Sequence, residues 1–325
     1  MVFINDLEVG TTSRTLKFAD DTKLFRTVTD QTDHLLLQND LDIVCERADR
    51  WQMKFNVSKC KTMQFGRKTS AIEPRYYMYG EPLEEVSSEK DLGVVFSSDM
   101  KLALHCRDSY SKANRMLGLI SRTIRYRNPD ILLNLYKSLV RPHLDYCSSV
   151  WNPHYSKDIN LLERVQHCFT CLFSELRSLP YEERLCQLGL WSLEKRCNRT
   201  DLIELFRLAK GISGTAFNEF FYISENIGTR GHSWKLAKNH CHCDARLQFF
   251  SQRVVNRWNS LSQEDVDAPS MNAFKGRLER RRRHQMDFFK DIYFSLQVLS
   301  AARSKIVSIG VGDNLRRTKD RCSCE

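Results

Sequence analysis

The strongest constraint on the fold of this chain is a change in hydrophobic pattern near residue 100. Before that point, short apolar runs are separated by turn residues, and only the segment from Asp33 to Trp51 has the spacing of an amphipathic helix. After Asp99 the strand signals nearly stop and long helical patterns follow. Strands and helices that occupy separate regions are typical of the α+β class. We therefore predict an α+β fold with its strands in residues 1–99.

The first part is predicted to be a set of short strands around one helix. A strand is predicted at Val2–Leu7, followed by a hairpin that carries Asp20 and Asp21 at its tip. Asp30 and Thr32 are the candidate N-caps of the helix. Further predictions are a strand in KFNVSKCKTMQFG, a hairpin about Gly80–Pro82 and a single strand in DLGVVF.

The second part is predicted to be helical. Segments are expected at Lys101–Tyr126, Pro129–Trp151, Ser156–Leu176, Tyr181–Leu188, Ser192–Gly211 and Leu247–Asn259, with a last helix beginning at Ser270. The most apolar window, residues 131–151, is broken by Lys137, Arg141, His143 and Asp145, so we predict no membrane span. The chain from about residue 300 is predicted to be disordered.

Composition leaves the class of partner open. Lysine and arginine number 50 against 40 acidic residues, which gives a net charge of +10. This excess fits a polyanionic partner and equally a solvated basic surface. The short apolar run before Asp6 is not a secretory signal, and we expect a nuclear or cytoplasmic protein that is not secreted. The twelve cysteines are irregularly spaced and are expected to be mostly free thiols.

Two clusters have the residue types of a metal site. Cys168 and Cys171 have C-x-x-C spacing, and residues 240–243 read HCHC. A structural zinc site needs four ligands in paired spacings, and neither cluster has a matching second pair, so we expect no zinc. The basic run at 280–283 is compatible with nucleic-acid binding or nuclear import, but a solvated helix end is the preferred interpretation.

The adjacent aspartates in FADDTKLF pose an electrostatic problem. Two neighbouring carboxylates in an apolar segment are costly to bury unless a cation lies beside them. Magnesium prefers hard oxygen ligands and commonly binds one or two carboxylates together with substrate phosphates. Asp20 and Asp21 therefore fit a Mg²⁺ site for phosphoryl transfer, whereas a solvated turn is the alternative that the tripeptide alone leaves open.

An ordered series of motifs resembles the reverse transcriptases of non-LTR (LINE-type) retrotransposons, in particular the jockey and CR1-like groups. The first part carries INDL, FADDTKLF, WQMKFNVSKCKTMQFG and YGEPLEEVSSEKDLGVVFSSDMK. The series continues with HCRDSYSKANRMLGLISRTIR, LYKSLVRPHLDYCSSVWNPHYSKDINLLERVQ, LPYEERLCQLGLWSLEKRCNRTDLIELFRLAKG and FFSQRVVNRWNSL, so that the resemblance covers residues 2–285. Each motif is moderately specific, and their order is highly specific.

The resemblance implies catalytic and binding roles. Asp20 would be the principal Mg²⁺ ligand and Asp21 its companion, while Lys59 would assist the leaving pyrophosphate. Gly80 would lie in the hairpin that grips the primer end. Basic residues of a thumb would hold the template–primer duplex, namely Lys101, Lys112, Arg115, Arg122, Arg125 and Arg127. The alternatives are that Lys59 is a solvated lysine at a strand end, that Gly80 lies in an ordinary hairpin turn, and that the basic residues are solvated charges.

The resemblance also implies an organisation and a set of partners. It divides the chain into a partial polymerase palm at 1–99, a helical thumb-like region at 100–215, a helical basic C-terminal region at 216–299 and a disordered tail at 300–325. The implied partners are an RNA template and a DNA primer, with no membrane and no small-molecule cofactor beyond nucleotides.

One part of the family pattern is missing from this sequence. The family's palm has a further catalytic aspartate on an earlier strand, and upstream fingers, but only nineteen residues precede Asp20 and Asp6 is too close to the hairpin. We therefore expect the C-terminal part of a reverse transcriptase, a truncated copy or a fragmentary gene model, that does not polymerise DNA by itself. The alternatives are a non-enzymatic nucleic-acid-binding remnant and a non-functional, unstable fragment.

Overall fold

The chain folds into two compact units in a computed structural model. The structure describes residues 6–19, 21–65, 75–126, 128–224, 231–241, 243–284 and 288–289. The units are Met1–Asp108 and Ser109–Glu325. Long helices combined with small sheets confirm the predicted α+β class. The predicted division into four parts stays a prediction, and the tail at 300–325 lies outside the described residues.

The strands of the first unit pair in twos. Three pairs are antiparallel: β1 (Arg14–Phe18) with β2 (Asp21–Phe25), β4 (Tyr77–Met78) with β5 (Glu81–Pro82), and β7 (Ser88–Asp91) with β8 (Val94–Ser97). The fourth pair, β3 (Lys61–Thr62) with β6 (Glu84–Glu85), is parallel. A short 3₁₀-helix at Val57–Lys59 precedes β3.

The helix of the first unit forms where the sequence predicts it. Helix α1 spans Gln31–Arg50, and the Asp30 carboxylate caps it by accepting a hydrogen bond from the Asp33 amide at 3.0 Å. Val44, Cys45 and Ala48 are its buried apolar residues. The predicted helix and one of its two candidate N-caps are thereby confirmed.

The strand predicted at Val2–Leu7 is wrong at its last two residues. Asp6 and Leu7 lie in a turn in which the Val9 amide donates to the Asp6 carbonyl, and residues 2–5 lie outside the described part of the chain. The strand predicted in DLGVVF is confirmed at Val94–Phe96, but it pairs in a hairpin, because Leu92 and Gly93 adopt φ of 44° and 89° and turn the chain between β7 and β8.

The second unit is helical. Helix α2 (Ala103–Thr123) begins before the boundary at residue 108 and continues into this unit. The others are α3 (Pro129–Leu135), α4 (Pro142–Asp145), α5 (Ser148–Trp151), α6 (Ser156–Thr170), α7 (Tyr181–Gln187), α8 (Leu193–Ala209), α9 (Asp244–Leu247), α10 (Phe250–Arg253), α11 (Val255–Asn259), α12 (Gln263–Val266) and α13 (Met271–His284). Short 3₁₀-helices lie at Ser174–Leu176 and Phe217–Glu219. Within the described ranges, no helix is long and apolar enough to cross a bilayer.

The single helix predicted at Pro129–Trp151 is interrupted. Pro142 has no N–H to offer the Ser138 carbonyl, and the Arg141 amide donates to Tyr136 five residues back, so the chain forms a π-helix at Tyr136–Val140. Cys147, with φ of 52°, then separates α4 from α5. Tyr136 in the π-helix and Trp151 at the end of α5 are both fully buried.

The core of the second unit is aromatic. Phe206 on α8 stacks on Phe274 of α13 with ring centroids 4.2 Å apart, and Trp258 of α11 packs against Phe274. Tyr136 stacks on Phe169 of α6 at 4.1 Å. Burying several aromatic rings between helices far apart in sequence supplies much of the driving force for this unit.

Candidate metal-binding hairpin and basic helix

Asp21 lies at the tip of a tight hairpin. The register of β1 and β2 ends with Phe18 opposite Asp21. Ala19 has φ of 54°, the sign that the favoured two-residue hairpin turns require at their central positions. Asp21 is the exposed first residue of β2. Asp20 lies outside the described residues.

The face of the hairpin that carries Asp21 is open. Directly opposed residues of an antiparallel pair lie on the same face, which places Asp21 with Phe18, Leu16 and Lys23. Phe18 is 62% exposed and Leu16 is 59% exposed. A molecule that approaches this face would meet apolar surface directly beside a carboxylate.

The basic side chains of the hairpin already have partners. The Lys23 ammonium pairs with Asp91 of β7, and the Lys17 ammonium lies 3.1 Å from Glu8. The Arg14 guanidinium lies 5.7 Å from the centre of the Phe25 ring. Within the described part of the chain, no basic side chain pairs with Asp21.

A buried aspartate fixes the start of the hairpin. Asp40 of α1 is fully buried and accepts hydrogen bonds from the Thr12 amide at 2.9 Å, the Thr12 hydroxyl at 3.1 Å and the Ser13 amide at 2.8 Å. Burial raises the pKa of Asp40, but these hydrogen bonds outweigh it and the pKa is lowered. The carboxylate thus joins the chain before β1 to α1.

Sequence reasoning missed this anchor, although a signal was present. Asp40 is in phase with Leu37, Val44 and Ala48, the apolar stripe of α1. An acidic residue within an apolar stripe must find buried donors, so its position predicts a partner elsewhere in the chain.

A second carboxylate, that of Asp33, binds the segment that connects β2 to α1. Asp33 lies 3.1 Å from the Arg26 guanidinium and accepts from the Thr29 amide and hydroxyl. The Thr29 amide is the main cause that lowers the pKa of Asp33, followed by the Thr29 hydroxyl and Arg26. The Arg26 and Asp33 side chains are 20% and 19% exposed, and their contacts order the turn between β2 and α1.

Two other predicted site residues of the first unit lie in turns. Lys59 is the exposed last residue of the 3₁₀-helix, and among the described residues no hydrogen bond or ion pair joins it to Asp21. Gly80, with φ of 78°, follows Tyr79, with φ of 52°, in the two-residue turn between β4 and β5. The hairpin predicted there is confirmed, while the functional roles of Lys59 and Gly80 stay predictions.

The predicted duplex-binding residues fall into three groups. Lys112, Arg115 and Arg122 lie on α2, where spacings of three and seven residues place them on one side of the helix. Arg125 is exposed just beyond the helix, and Arg127 lies outside the described residues. Lys101 belongs to the first unit and forms an ion pair with Asp99 at 3.3 Å. The structure thus brings three of the six onto one surface.

The remaining basic run is not a solvated helix end at the two positions where its contacts are described. Arg281 pairs with Asp265, and Arg282 donates to the Leu190 carbonyl while lying 4.6 Å from the centre of the Trp191 ring. That expectation is wrong for these two residues, because they join α13 to the segment before α8 and to α12.

The cysteines and other potential ligands do not form a metal site in the described part of the chain. No three histidine, cysteine or acidic side chains are grouped there as ligands. Ten cysteines are free thiols, among them Cys168 and Cys171 at the end of α6. Asp20, His242, Cys322 and Cys324 lie outside the described residues.

Comparison with known proteins gives one weak similarity. The chain is 24% identical over 133 residues to the RNA-directed DNA polymerase from mobile element jockey of Drosophila melanogaster. The match covers 40% of this chain and 14% of that protein. No protein-family model matches the chain, and no solved structure matches it significantly. The similarity supports a relation to the reverse transcriptases of non-LTR retrotransposons.

Proposed function

We propose that this chain is part of an RNA-directed DNA polymerase of the non-LTR retrotransposon type. The observation that carries the proposal is the tight hairpin, whose register pairs Phe18 with Asp21 and puts Asp21 at the start of β2. This position of Phe18 and Asp21 supports the proposal, because the resemblance implies a Phe-Ala-Asp-Asp sequence at a hairpin tip. The similarity to the jockey polymerase supports the same lineage independently of geometry.

The residues at the tip fit a magnesium ion in type but not in number. Asp21 offers an exposed carboxylate without a basic partner among the described residues, and Asp20 supplies a second carboxylate from the adjacent position. A bound Mg²⁺ would assist attack by the primer hydroxyl and departure of pyrophosphate. The tip supplies two carboxylates, so the remaining oxygen ligands would come from nucleotide phosphates, water or a further acidic residue.

The other proposed roles concern charge placement. Lys59 would neutralise charge on the leaving pyrophosphate, and Gly80 would let the β4–β5 turn approach the primer. Arg115 and Arg122 are exposed on one side of α2, about 10 Å apart along the helix axis by its rise per residue. This side of α2 would contact the phosphates of a template–primer duplex.

Metal binding at the hairpin can be tested by cleavage with bound iron. Fe²⁺ substituted for Mg²⁺, with ascorbate and peroxide, cuts the backbone beside its site. We expect cuts near residues 19–22 that millimolar Mg²⁺ suppresses and that Asp20→Asn and Asp21→Asn abolish. Asp42→Asn, an exposed carboxylate on α1, is the matched control and should leave the cuts unchanged. Cuts that persist in both hairpin variants would overturn the proposed site.

Activity of the isolated polypeptide is a separate question. Because no three potential ligands are grouped among the described residues, we expect no primer extension on an RNA template with Mg²⁺. Extension that is lost in Asp20→Ala would show that the chain is a complete polymerase. It would contradict the expected inactivity and leave the proposed lineage intact.

A second candidate function is nucleic-acid binding without polymerisation, and the basic side of α2 favours it. We expect duplex affinity to fall steeply with salt, and the double variant Arg115→Gln/Arg122→Gln to reduce the slope of log K against log salt by about 2. Arg164→Gln, an exposed arginine on α6, is the matched control. An unchanged slope, measured by fluorescence anisotropy, would exclude these arginines as phosphate contacts.

A further inference from the structure

A buried guanidinium in the second unit has no carboxylate partner among the described residues. Arg184 of α7 is only 5% exposed. Its Nη2 lies 2.9 Å from His167 Nε2, and its Nη1 lies 3.1 Å from Thr170 Oγ1 and 2.8 Å from Cys171 Sγ. Its Nε is buried without a hydrogen-bond partner among the described residues. Buried charges are normally paired, so the contacts of Arg184 need an explanation.

The hydrogen bonds determine the tautomer of His167. A guanidinium has donors only, so His167 Nε2 must accept from Arg184. Desolvation and the charge of Arg184 lower the pKa of His167, which favours the neutral ring. The proton of that ring is then on Nδ1, which faces Cys171 Sγ at 3.9 Å. The sulfur therefore receives donors from both the guanidinium and the imidazole.

Among the groups in contact with Arg184, the sulfur is the one that can supply a negative charge. Thr170 is neutral, and its hydroxyl donates to the His167 carbonyl at 2.8 Å. Tyr181 lies with its ring 5.5 Å from the guanidinium, but its hydroxyl donates to Glu163, and burial raises its pKa. A Cys171 thiolate would complete a pair with Arg184 and would accept both donors.

The position of Cys171 at the end of α6 does not oppose this charge strongly. Carbonyl groups at a helix C-terminus disfavour an anion. The Arg177 guanidinium, however, binds the Cys171 carbonyl through both Nε and Nη2 at 3.2 Å. It thereby offsets the negative end of the helix dipole at this residue.

We propose that Cys171 is a site of oxidative modification by hydroperoxides, with Arg184 and His167 holding its sulfur as the reactive thiolate. The thiolate attacks the terminal oxygen of the hydroperoxide, an S–O bond forms as the O–O bond breaks, and the sulfur loses two electrons. The departing alkoxide takes the proton of the transferred hydroxyl, which leaves an alcohol and a sulfenate. The sulfenate remains an anion beside Arg184.

The other cysteines provide the contrast that makes the proposal specific. Cys45 and Cys197 are buried, and burial raises the pKa of Cys45 to about 11 and that of Cys197 to about 12. Cys168 and Cys186 are exposed, whereas Cys171 is partly buried. If access alone controlled oxidation, Cys168 would react before Cys171. The proposed charge environment reverses that order.

The test measures the oxidation of each cysteine in the whole chain. Hydrogen peroxide is added with dimedone, and tagged peptides are quantified over time by mass spectrometry. We expect Cys171 to be tagged at least about tenfold faster than Cys168. Equal rates, or a faster Cys168, would overturn the proposal without any variant.

Two variants then assign the cause. Arg184→Gln and His167→Gln should each slow tagging of Cys171, the first by about tenfold, while leaving Cys168 unchanged. Near-UV circular dichroism shows whether each variant folds. Tagging of Cys171 that is unchanged in a folded Arg184→Gln variant would contradict the role of the guanidinium, and the His167→Gln arm remains decisive for the imidazole.

Discussion

At the scale of single residues, the second unit is organised by buried charges that hold helices together. Arg253 of α10 binds both carboxylate oxygens of Asp201 on α8, at 2.8 and 2.9 Å, and Asp201 is fully buried. Arg253 also donates to the Ser149 carbonyl of α5 and the Gln248 carbonyl after α9. The Arg253 side chain thus joins three segments that are distant in sequence, namely α5, α8 and α10.

Removing one partner of this pair should be strongly destabilising. Asp201→Ala leaves a buried guanidinium without its charge partner, and we expect the free energy of unfolding to fall by about 3–5 kcal/mol. Urea denaturation of the whole chain measures the change. Arg207→Gln removes an exposed pair with Glu204 on the same helix and should cost less than about 1 kcal/mol. Similar losses for the two variants would contradict a special role of the buried pair.

A second, partly buried carboxylate should make stability depend on pH. Desolvation raises the pKa of Glu163 to about 7, although it accepts from Tyr181 and from the Leu193 amide. The folded state therefore retains a proton that the unfolded state loses near pH 4.5. The contribution of Glu163 is fully present below pH 4.5 and is lost as the pH rises through about 7.

The variant Glu163→Gln should remove this dependence. We expect it to match the wild type near pH 4 and to be more stable near pH 8, by about 1–3 kcal/mol. Chemical denaturation at several pH values, taken as the difference between variant and wild type, measures it. Glu183→Gln, at an exposed position of α7, should show no such difference. A pH-independent difference for Glu163→Gln would show that the buried carboxyl does not titrate in this range.

At the scale of elements, the sequence predicted what is local. Helix α1 and its cap, the β1–β2 hairpin and most helices of the second part follow from spacing and turn residues in one segment. The π-helix and the left-handed Cys147 were missed, since they depend on how Pro142 interrupts the hydrogen bonds of a helix in one tertiary setting. The partners of Asp40, Asp201 and Glu163 were missed because each contact joins residues distant in sequence.

In the candidate site, too, the features that are local in sequence could be predicted and the contacts between distant residues could not. The FADD motif and the basic residues of α2 could be named from sequence, because residue types and order carry them. The surroundings of these residues could not be predicted from the sequence, since the pairing of Lys23 with Asp91 brings together strands that are far apart in the chain. Lys23 pairs with Asp91, and among the described residues no basic side chain pairs with Asp21.

The anchor of the hairpin is testable at this scale. Asp40→Ala would leave the amides of Thr12 and Ser13 without their buried acceptor, and we expect a loss of about 2–4 kcal/mol in the stability of the first unit. Hydrogen exchange should show faster exchange of these two amides. Asp42→Ala, exposed two residues further along α1, is the matched control. Unchanged protection of both amides would show that the β1–β2 hairpin is held by other contacts.

At the scale of the whole molecule, the two units have different internal organisation. The described part of the first consists of two-stranded sheets and one helix, together with the start of α2. The second has a continuous apolar core. Its side chains include Leu202, Phe206, Trp258, Phe274 and Leu278, each of which is at most 1% exposed. A small sheet is stable only when it packs on other elements, whereas a helical core of this size can sustain a fold.

The protease resistance of this core distinguishes a stably folded protein from an unstable fragment. Limited proteolysis of the whole chain should leave a resistant fragment that contains α8–α13. Trp258→Ala should make that fragment sensitive, since removing a fully buried indole costs about 3–5 kcal/mol. Tyr222→Ala, at a position that is 64% exposed in the same unit, should leave the fragment resistant. Rapid digestion of the wild-type chain, with no resistant fragment, would instead favour a product that does not fold stably, and the proposed roles of α2 and Cys171 would fail with it.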